Sequence, residues 1–284
     1  MTVLGAYEMT LLTSVGIAIT AALGLNLITG FCGQISLGHA AFYGIGAYAA
    51  AMMTKSGIDF APALIAGGLL AGFVGMVVGF ASLRVRHDFL AITTMGVGFL
   101  FLGAVRQQDF LGGEMGISGI PDPGLDKMAF MGLSLGVAAA AALFSLALKR
   151  SWMGFAFDAI AGDEDTARVL GIEVSLYKLA AFALGTAMAG IAGGLYAHQV
   201  KFIWPDSFAF VESIAMLTMV VVGGVGSVVG VSLAAAVLTL LPQLFQVIAD
   251  YKLLVYGTLL FLAMRFLPGG LAGFVRLFRR DDEP

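Results

Sequence analysis

Apolar residues along this chain gather into long unbroken blocks, without the one-sided helical or alternating pattern of a protein that faces water. Residues 9–27, 61–83, 89–105, 129–148 and 179–197 each approach the roughly 20 apolar positions that carry an α-helix across a bilayer. The stretch 213–248 holds no charged residue and is too long for one crossing. Gly223, Gly224, Gly226 and Gly230 therefore predict its break into two segments. A last run, 253–266, ends at Pro268. The block 30–53 is interrupted by glycines and is compatible with one crossing, a broken crossing or a re-entrant loop, which leaves the side of the N-terminus open. The pattern predicts an all-α fold, a polytopic transmembrane helix bundle of about eight to ten segments with one or two broken, in a single domain over 1–284.

Composition agrees. With 60% hydrophobic and 12% charged residues, the chain is far from the roughly 25% charge usual in soluble domains. The mean hydropathy is +0.97. No basic residue precedes 9–27, so this run reads as a permanent helix rather than a cleaved leader. A net charge of −3 without a basic stripe argues against nucleic acid and leaves the lipid bilayer as the surrounding partner. Cys32 reads as a small packing residue. His39, His87 and His198 lack the paired spacing of metal ligands, so no metal site is expected.

The basic residues orient the bundle. Arg84 and Arg86, then Lys149, Arg150, Arg168 and Lys178, then Arg265, Arg276, Arg279 and Arg280 fall on one side when the runs are counted as above. Lys55, Arg106, Lys127, Lys201 and Lys252 scatter over the other. Short cytoplasmic loops retain basic residues, so the 149–178 loop and the 268–284 tail are assigned to the cytoplasm.

Two glycine-rich places carry polar side chains at membrane depth. In the first, Gln34, Ser36 and His39 would be unfavourable against lipid, and glycines beside them permit an unwound backbone only where protein or water surrounds it. The second is Gly223 to Ser227, late in the chain. Broken segments in both halves of a transporter point to its pathway. Gln34, Ser36, His39, Thr93, Thr94 and Ser227 are the candidate pathway residues, with hydrogen bonding between helices as the alternative role.

No energy source is visible inside the chain. An ion-coupled carrier needs an ionisable group or oxygen ligands near the midplane. Here Glu8, Glu212 and Asp250 stand at run ends, and Asp59, Asp88, Asp109, Glu114 and Asp122 stand in loops. A phosphate-binding loop needs Gly-Lys-Ser/Thr, and no lysine follows a glycine. Any ATP energy must come from another chain. The 149–178 loop predicts two short helices, 152–161 and 164–170, the second capped by Asp163, acidic in its first turn and ended by Gly171. Such a segment is either a docking element or a solvated connector.

Several stretches carry a family resemblance. They include Thr29-Gly30, then Gly33-Gln34-Ile35-Ser36-Leu37-Gly38-His39-Ala40-Ala41-Phe42, then Gly112-Gly113, Ser118-Gly119-Ile120-Pro121, Pro205-Asp206-Ser207-Phe208, Gly223-Gly224 with Gly226-Ser227, and Leu241-Pro242. With them, nearly the whole chain resembles the LivM-type permease subunits of branched-chain amino acid ABC transporters. The resemblance implies a non-enzymatic subunit of the plasma (bacterial inner) membrane that forms half of a translocation pathway in an ATP-driven importer. Its expected partners are a second related permease subunit, two ATP-binding-cassette ATPases that hold ATP and Mg, and an extracytoplasmic substrate-binding protein; no cofactor is expected in this chain. Leucine, isoleucine and valine are the implied substrates, while relatives carry other amino acids, urea or short amides. A self-contained secondary carrier or channel is the competing class.

The resemblance also assigns ATPase coupling to Gly154, Phe157, Asp158, Ile160, Glu164, Arg168 and Gly171. The chain departs from the family at Asp158 and Ala161, where arginines are usual, and at Arg168, where an acidic residue is common. Phe99 replaces an acidic residue frequent in the fourth helix region.

Overall fold

The computed structural model describes residues 5–82, 87–244, 251–266, 269–271 and 273. Arg84, Arg86, Arg276, Arg279 and Arg280, and nearly all of the 268–284 tail, lie outside the described residues. Glycine and alanine dominate the helix contacts, because small residues let backbones approach where lipid offers no hydrophobic drive. Helix α1 (Ala6–Leu25) runs directly into a π-helical turn, Asn26–Phe31. Then follow α2 (His39–Lys55), α3 (Phe60–Ser82), α4 (His87–Gln107) and α5 (Lys127–Lys149). Two short helices, α6 (Trp152–Gly162) and α7 (Glu164–Val169), lead to α8 (Val174–Val200). The chain closes with α9 (Phe210–Gly223), α10 (Val228–Leu244) and α11 (Lys252–Phe266).

Among the described residues, six stretches are long and apolar enough to cross a membrane: Ala6–Phe31, Phe60–Ala81, Leu90–Gln107, Lys127–Lys149, Val174–Val200 and Pro205–Gly223. Val228–Leu244 and Leu253–Phe266 are shorter apolar helices. The centre of the bundle is α8, which packs on α1, α2 and α3. A Cβ on Gly46 would run into the backbone of Gly190, and one on Gly190 would meet Ala71 of α3. Three helices thus converge at one point where no larger side chain fits.

Both predicted breaks are present. The 30–53 block divides into the end of the π-helical turn, a non-helical stretch at 32–38 and helix α2. The later break is tighter than the four glycines suggest. It occupies 224–227, with Gly224 at φ 104° and Gly226 at φ 79°, whereas Gly230 is helical and lies against the Gly223 carbonyl inside α10.

The charge grouping has a structural counterpart. Lys149, Arg150, Arg168 and Lys178 gather at the end of the bundle that carries α6 and α7. Lys55, Arg106, Lys127 and Lys201 lie at the opposite end. There a two-residue antiparallel pair joins β1 (Ile117–Ser118) to β2 (Phe202–Ile203), with Ile117 opposite Ile203. Ion pairs Arg106–Asp206 and Lys201–Asp122 tie the same loops together.

Candidate functional site

The two broken segments, far apart in sequence, meet at the α6–α7 end. Asn26 is fully buried, and a buried amide must find a partner. Its Oδ1 accepts a hydrogen bond from the Gly226 N–H at 2.9 Å. Gly30 lies beside the same point, where a Cβ would strike both Asn26 and the Gly226 nitrogen. From the other side, Lys149 at the end of α5 donates to the Gly226 carbonyl at 2.6 Å and sits 5.3 Å from the centre of the Phe31 ring. One lysine therefore touches both breaks.

Four of the six candidate pathway residues share the neighbourhood just beyond this junction. Thr94 accepts from the Leu37 N–H at 3.0 Å and donates to the Ala91 carbonyl at 3.0 Å, anchoring the unwound stretch to α4. Gln34 is buried, with its amide 3.6 Å from the Cys32 sulfur, and the Thr29 hydroxyl holds its carbonyl. Ser36 and His39 are fully buried. The Ser36 hydroxyl has no hydrogen-bond partner among the described residues, and the His39 ring lies by the Ala21 carbonyl without hydrogen-bond geometry. Ser213 of α9 accepts from the Ala40 N–H at 3.0 Å, which hooks α9 to the start of α2. Thr93 is half-buried on α4. Ser227 sits apart, as the cap of α10: its Oγ accepts from the Gly230 N–H at 3.1 Å.

None of these six lines the cavity of about 300 Å³ in the other half of the bundle. Its wall includes Tyr43, Tyr196, Glu212, Thr239 and Tyr256, which sequence reasoning did not single out. The available signal was an acidic residue and tyrosines at the edges of apolar runs.

The α6–α7 segment is amphipathic. Gly154, Phe157 and Ile160 face inward, and Phe157 packs edge-on against Tyr177 of α8 at 6.2 Å. A Cβ on Gly154 would collide with the Leu148 and Lys149 carbonyls. On the outer side stand Asp158, Trp152 (73% exposed) and Phe155 (62%), joined at the C-terminal end of α7 by Val169 (87%) and Leu170 (70%). These four apolar side chains were missed in the sequence, where only their spacing against the buried set distinguishes them.

Asp163 caps α7, its Oδ1 accepting from the Thr166 N–H at 2.6 Å. Hydrogen bonding from the Thr166 hydroxyl first, and then from the Thr166 N–H, holds the Asp163 carboxyl below the usual carboxylate range. Arg168 pairs with Asp165 at 2.6 Å and with Glu164 at 3.3 Å. Glu164 also pairs with Lys178 of α8, each side chain only 14% exposed. Gly171 ends the turn at φ 82°, a conformation other residues rarely adopt. Gly33 of the first break lies against Ala161 of α6. The segment is thus joined to the first break by Gly33 and to α8 by Glu164, while Lys149 just before it holds the second break.

The sequence matches the family described as "Branched-chain amino acid transport system / permease component" over residues 8–264. It is 35% identical to the high-affinity branched-chain amino acid transport system permease protein LivM of Escherichia coli, across 92% of this chain and 68% of that protein. It is 26% identical to the corresponding LivH of the same organism, across 89% and 90%. Among solved structures, PsaBC from Streptococcus pneumoniae in complex with Fab shares the fold at a TM-score of 0.51 and 17% identity, over 94% of both chains.

Proposed function

Because the chain belongs to the branched-chain amino acid permease family, we propose that it forms half of the translocation pathway of an ATP-driven importer for leucine, isoleucine and valine. The observation that carries this reading is the α6–α7 segment, which presents four exposed apolar side chains outward while contacts at its base reach both helix breaks. A solvated connector needs no such apolar face. An ATPase does, because the force it generates must enter the membrane through a rigid, buried base.

In this reading the α6–α7 end faces the cytoplasm, in keeping with Lys149, Arg150, Arg168 and Lys178 gathered there. Two ATPase subunits hold ATP and Mg, a second related permease completes the pathway, and a binding protein delivers substrate to the opposite end. This chain supplies no cofactor and performs no covalent chemistry. Closure of the ATPase pair displaces α6. Gly33 passes that displacement to the stretch 32–38, Lys149 passes it to the 224–227 turn, and Glu164 passes it to α8 through Lys178. The bundle then switches access as a rigid body.

Gentle solubilisation from native membranes tests this. Stoichiometric ATPase subunits should co-purify, and the reconstituted complex should take up leucine only with ATP and the loaded binding protein. Uptake by the isolated chain without ATP would establish a self-contained carrier instead, and uptake of urea or short amides in place of leucine would reassign the substrate.

A further inference from the structure

Among the described membrane stretches, that of α4 has the smallest buried share, 22% against 61% in α8. A Cβ on its Gly96, Gly98 or Gly103 would meet nothing within 4 Å. The helix is fastened near both ends. Toward α6 and α7, Thr94 accepts from the Leu37 N–H, and Gly38 packs against the Thr94 carbonyl. At the other end, the 3₁₀ turn Pro205–Phe208 grips α4 twice. Its Asp206 pairs with Arg106 at 2.5 Å, and its Phe208 packs edge-on against Phe101 with ring centres 6.3 Å apart. Phe101 fits there because Gly44 of α2 leaves a notch, where a Cβ would strike the ring. Between the two fastenings, α2, α4 and α9 enclose a groove of about 10 Å³, lined by Ala41, Gly98, Leu102, Phe208 and Phe210 among others. That is room for about one water. Nothing larger enters unless α4 withdraws.

The Arg106 and Asp206 side chains are 44% and 57% exposed, and an ion pair so open to water is worth little. A second partner for Asp206 stands beside it. Tyr48 of α2 is only 3% exposed, with its ring packed on Phe101 and Phe208. Its hydroxyl lies within Coulombic reach of Asp206, yet it has no hydrogen-bond partner among the described residues. A buried hydroxyl left unpaired is rare and costly. Its partner belongs to another arrangement of the same turn.

Resting on the reading of this chain as a permease, we propose that α4 is a gate and Asp206 its latch. Asp206 holds Arg106 of α4 while the groove is closed, as in this structure, and receives the Tyr48 hydroxyl when α4 swings away from α2. The exchange trades one partner of the carboxylate for another, so neither arrangement leaves Asp206 bare. Phe101 parts from Phe208 in the same movement, and the groove opens at the end opposite α6 and α7.

The complete transporter in proteoliposomes tests this through two measurements. The first is labelling and needs no turnover. In a Cys32→Ser background, Ala41→Cys places a thiol on the groove wall, where Ala41 is fully buried. Methyl methanethiosulfonate should react slowly with it in the resting complex, about tenfold faster once Arg106→Gln releases the latch, and slowly again when Tyr48→Phe is added, because the open arrangement then loses its partner. If the Ala41→Cys complex does not assemble, Met95→Cys on the facing wall carries the same measurement. An unchanged rate in Arg106→Gln, or an accelerated rate that Tyr48→Phe leaves untouched, overturns the latch.

The second measurement is leucine uptake. Tyr48→Phe removes only a hydroxyl without a partner here, so the melting temperature of the resting complex should hold or rise while uptake falls about tenfold. Unchanged uptake overturns the exchange, and so does a lowered melting temperature, which marks a packing role. If the wild-type complex carries no leucine, the permease reading fails by itself, and the labelling rates still decide whether Asp206 changes partners.

Discussion

The Glu164–Lys178 pair gives the sharpest test of how force enters the membrane bundle. Glu164 opens α7, Lys178 belongs to the first turns of α8, and each side chain is 14% exposed. Arg168 adds a second cation at 3.3 Å from Glu164. Opposite unit charges about 4 Å apart attract by about 4 kcal/mol at an effective dielectric of 20. Desolvation and side-chain ordering reduce the net value to about 1–2 kcal/mol at this partial burial. Glu164→Lys replaces that attraction with repulsion from two cations, so the α7–α8 contact should weaken by about 2–4 kcal/mol. Membrane insertion should be unaffected, because the pair lies at the end of the apolar span. Substrate-stimulated ATP hydrolysis and leucine uptake should both fall in the reconstituted transporter. Glu164→Lys combined with Lys178→Glu restores an opposite pair in the same place and should recover most of the loss, a coupling energy read from the full double-mutant cycle. If the double swap is no better than the single reversal, or the single reversal transports normally, the ion pair does not carry the coupling.

Three further predictions follow from neighbouring contacts. Lys149→Met keeps the aliphatic stem but removes the hydrogen bond to Gly226 and the charge over Phe31, costing about 1–3 kcal/mol; it should uncouple ATP hydrolysis from uptake, and full coupling in this variant would remove the junction from the mechanism. Trp152→Asp with Phe155→Asp changes only exposed side chains of α6; ATPase co-purification should be lost while the melting temperature of the isolated chain stays unchanged, and an intact complex would place docking elsewhere. The carboxyl of Asp163 is held below its ordinary range by the Thr166 hydroxyl and then the Thr166 N–H, so the folded state binds its proton less readily than the unfolded one. Its contribution to α7 is therefore complete above the ordinary carboxylate range near pH 4 and is lost as pH falls through the lowered value. Amide exchange of the α7 residues should accelerate on acidification in the wild type and depend much less on pH in Asp163→Asn; identical pH profiles would remove the cap from α7.

Much of the coupling segment was legible because it lies in water, where local rules operate. A capping aspartate, acidic first turn and terminal glycine placed α7 within a residue of its observed end, since each is a backbone hydrogen-bonding requirement carried by adjacent residues. The breaks were legible for a similar reason: a charge-free run longer than a bilayer must turn, and glycines mark where. Gly230 was misread as part of that turn because a glycine inside a membrane helix also serves close packing, and sequence does not separate the two uses.

What stayed hidden is what lipid conceals. In water an apolar face reports the core, but acyl chains are as apolar as leucine, so the runs are apolar all round. Leu23 is fully buried and Leu69 is largely exposed, yet both sit in similar apolar runs. Inside therefore has to be read from polar side chains, each of which demands a partner at membrane depth. That criterion found Gln34, Ser36 and His39, but it does not say which partner each one takes. Asn26 bonds to Gly226 across 200 positions, and nothing local to either residue announces the other. Glu212 was read as the end of a run because its place in α9 is a helix start. Only the convergence of α1, α2, α8, α9, α10 and α11 around it makes that same residue the charge at the wall of a cavity. Of the polar residues that sequence picks out, Thr94 ties the first break to α4 and Ser227 caps α10, and the cavity lies a step further along the bundle. Moving the former should alter α9, which the Ala40 N–H to Ser213 hydrogen bond fastens to the start of α2.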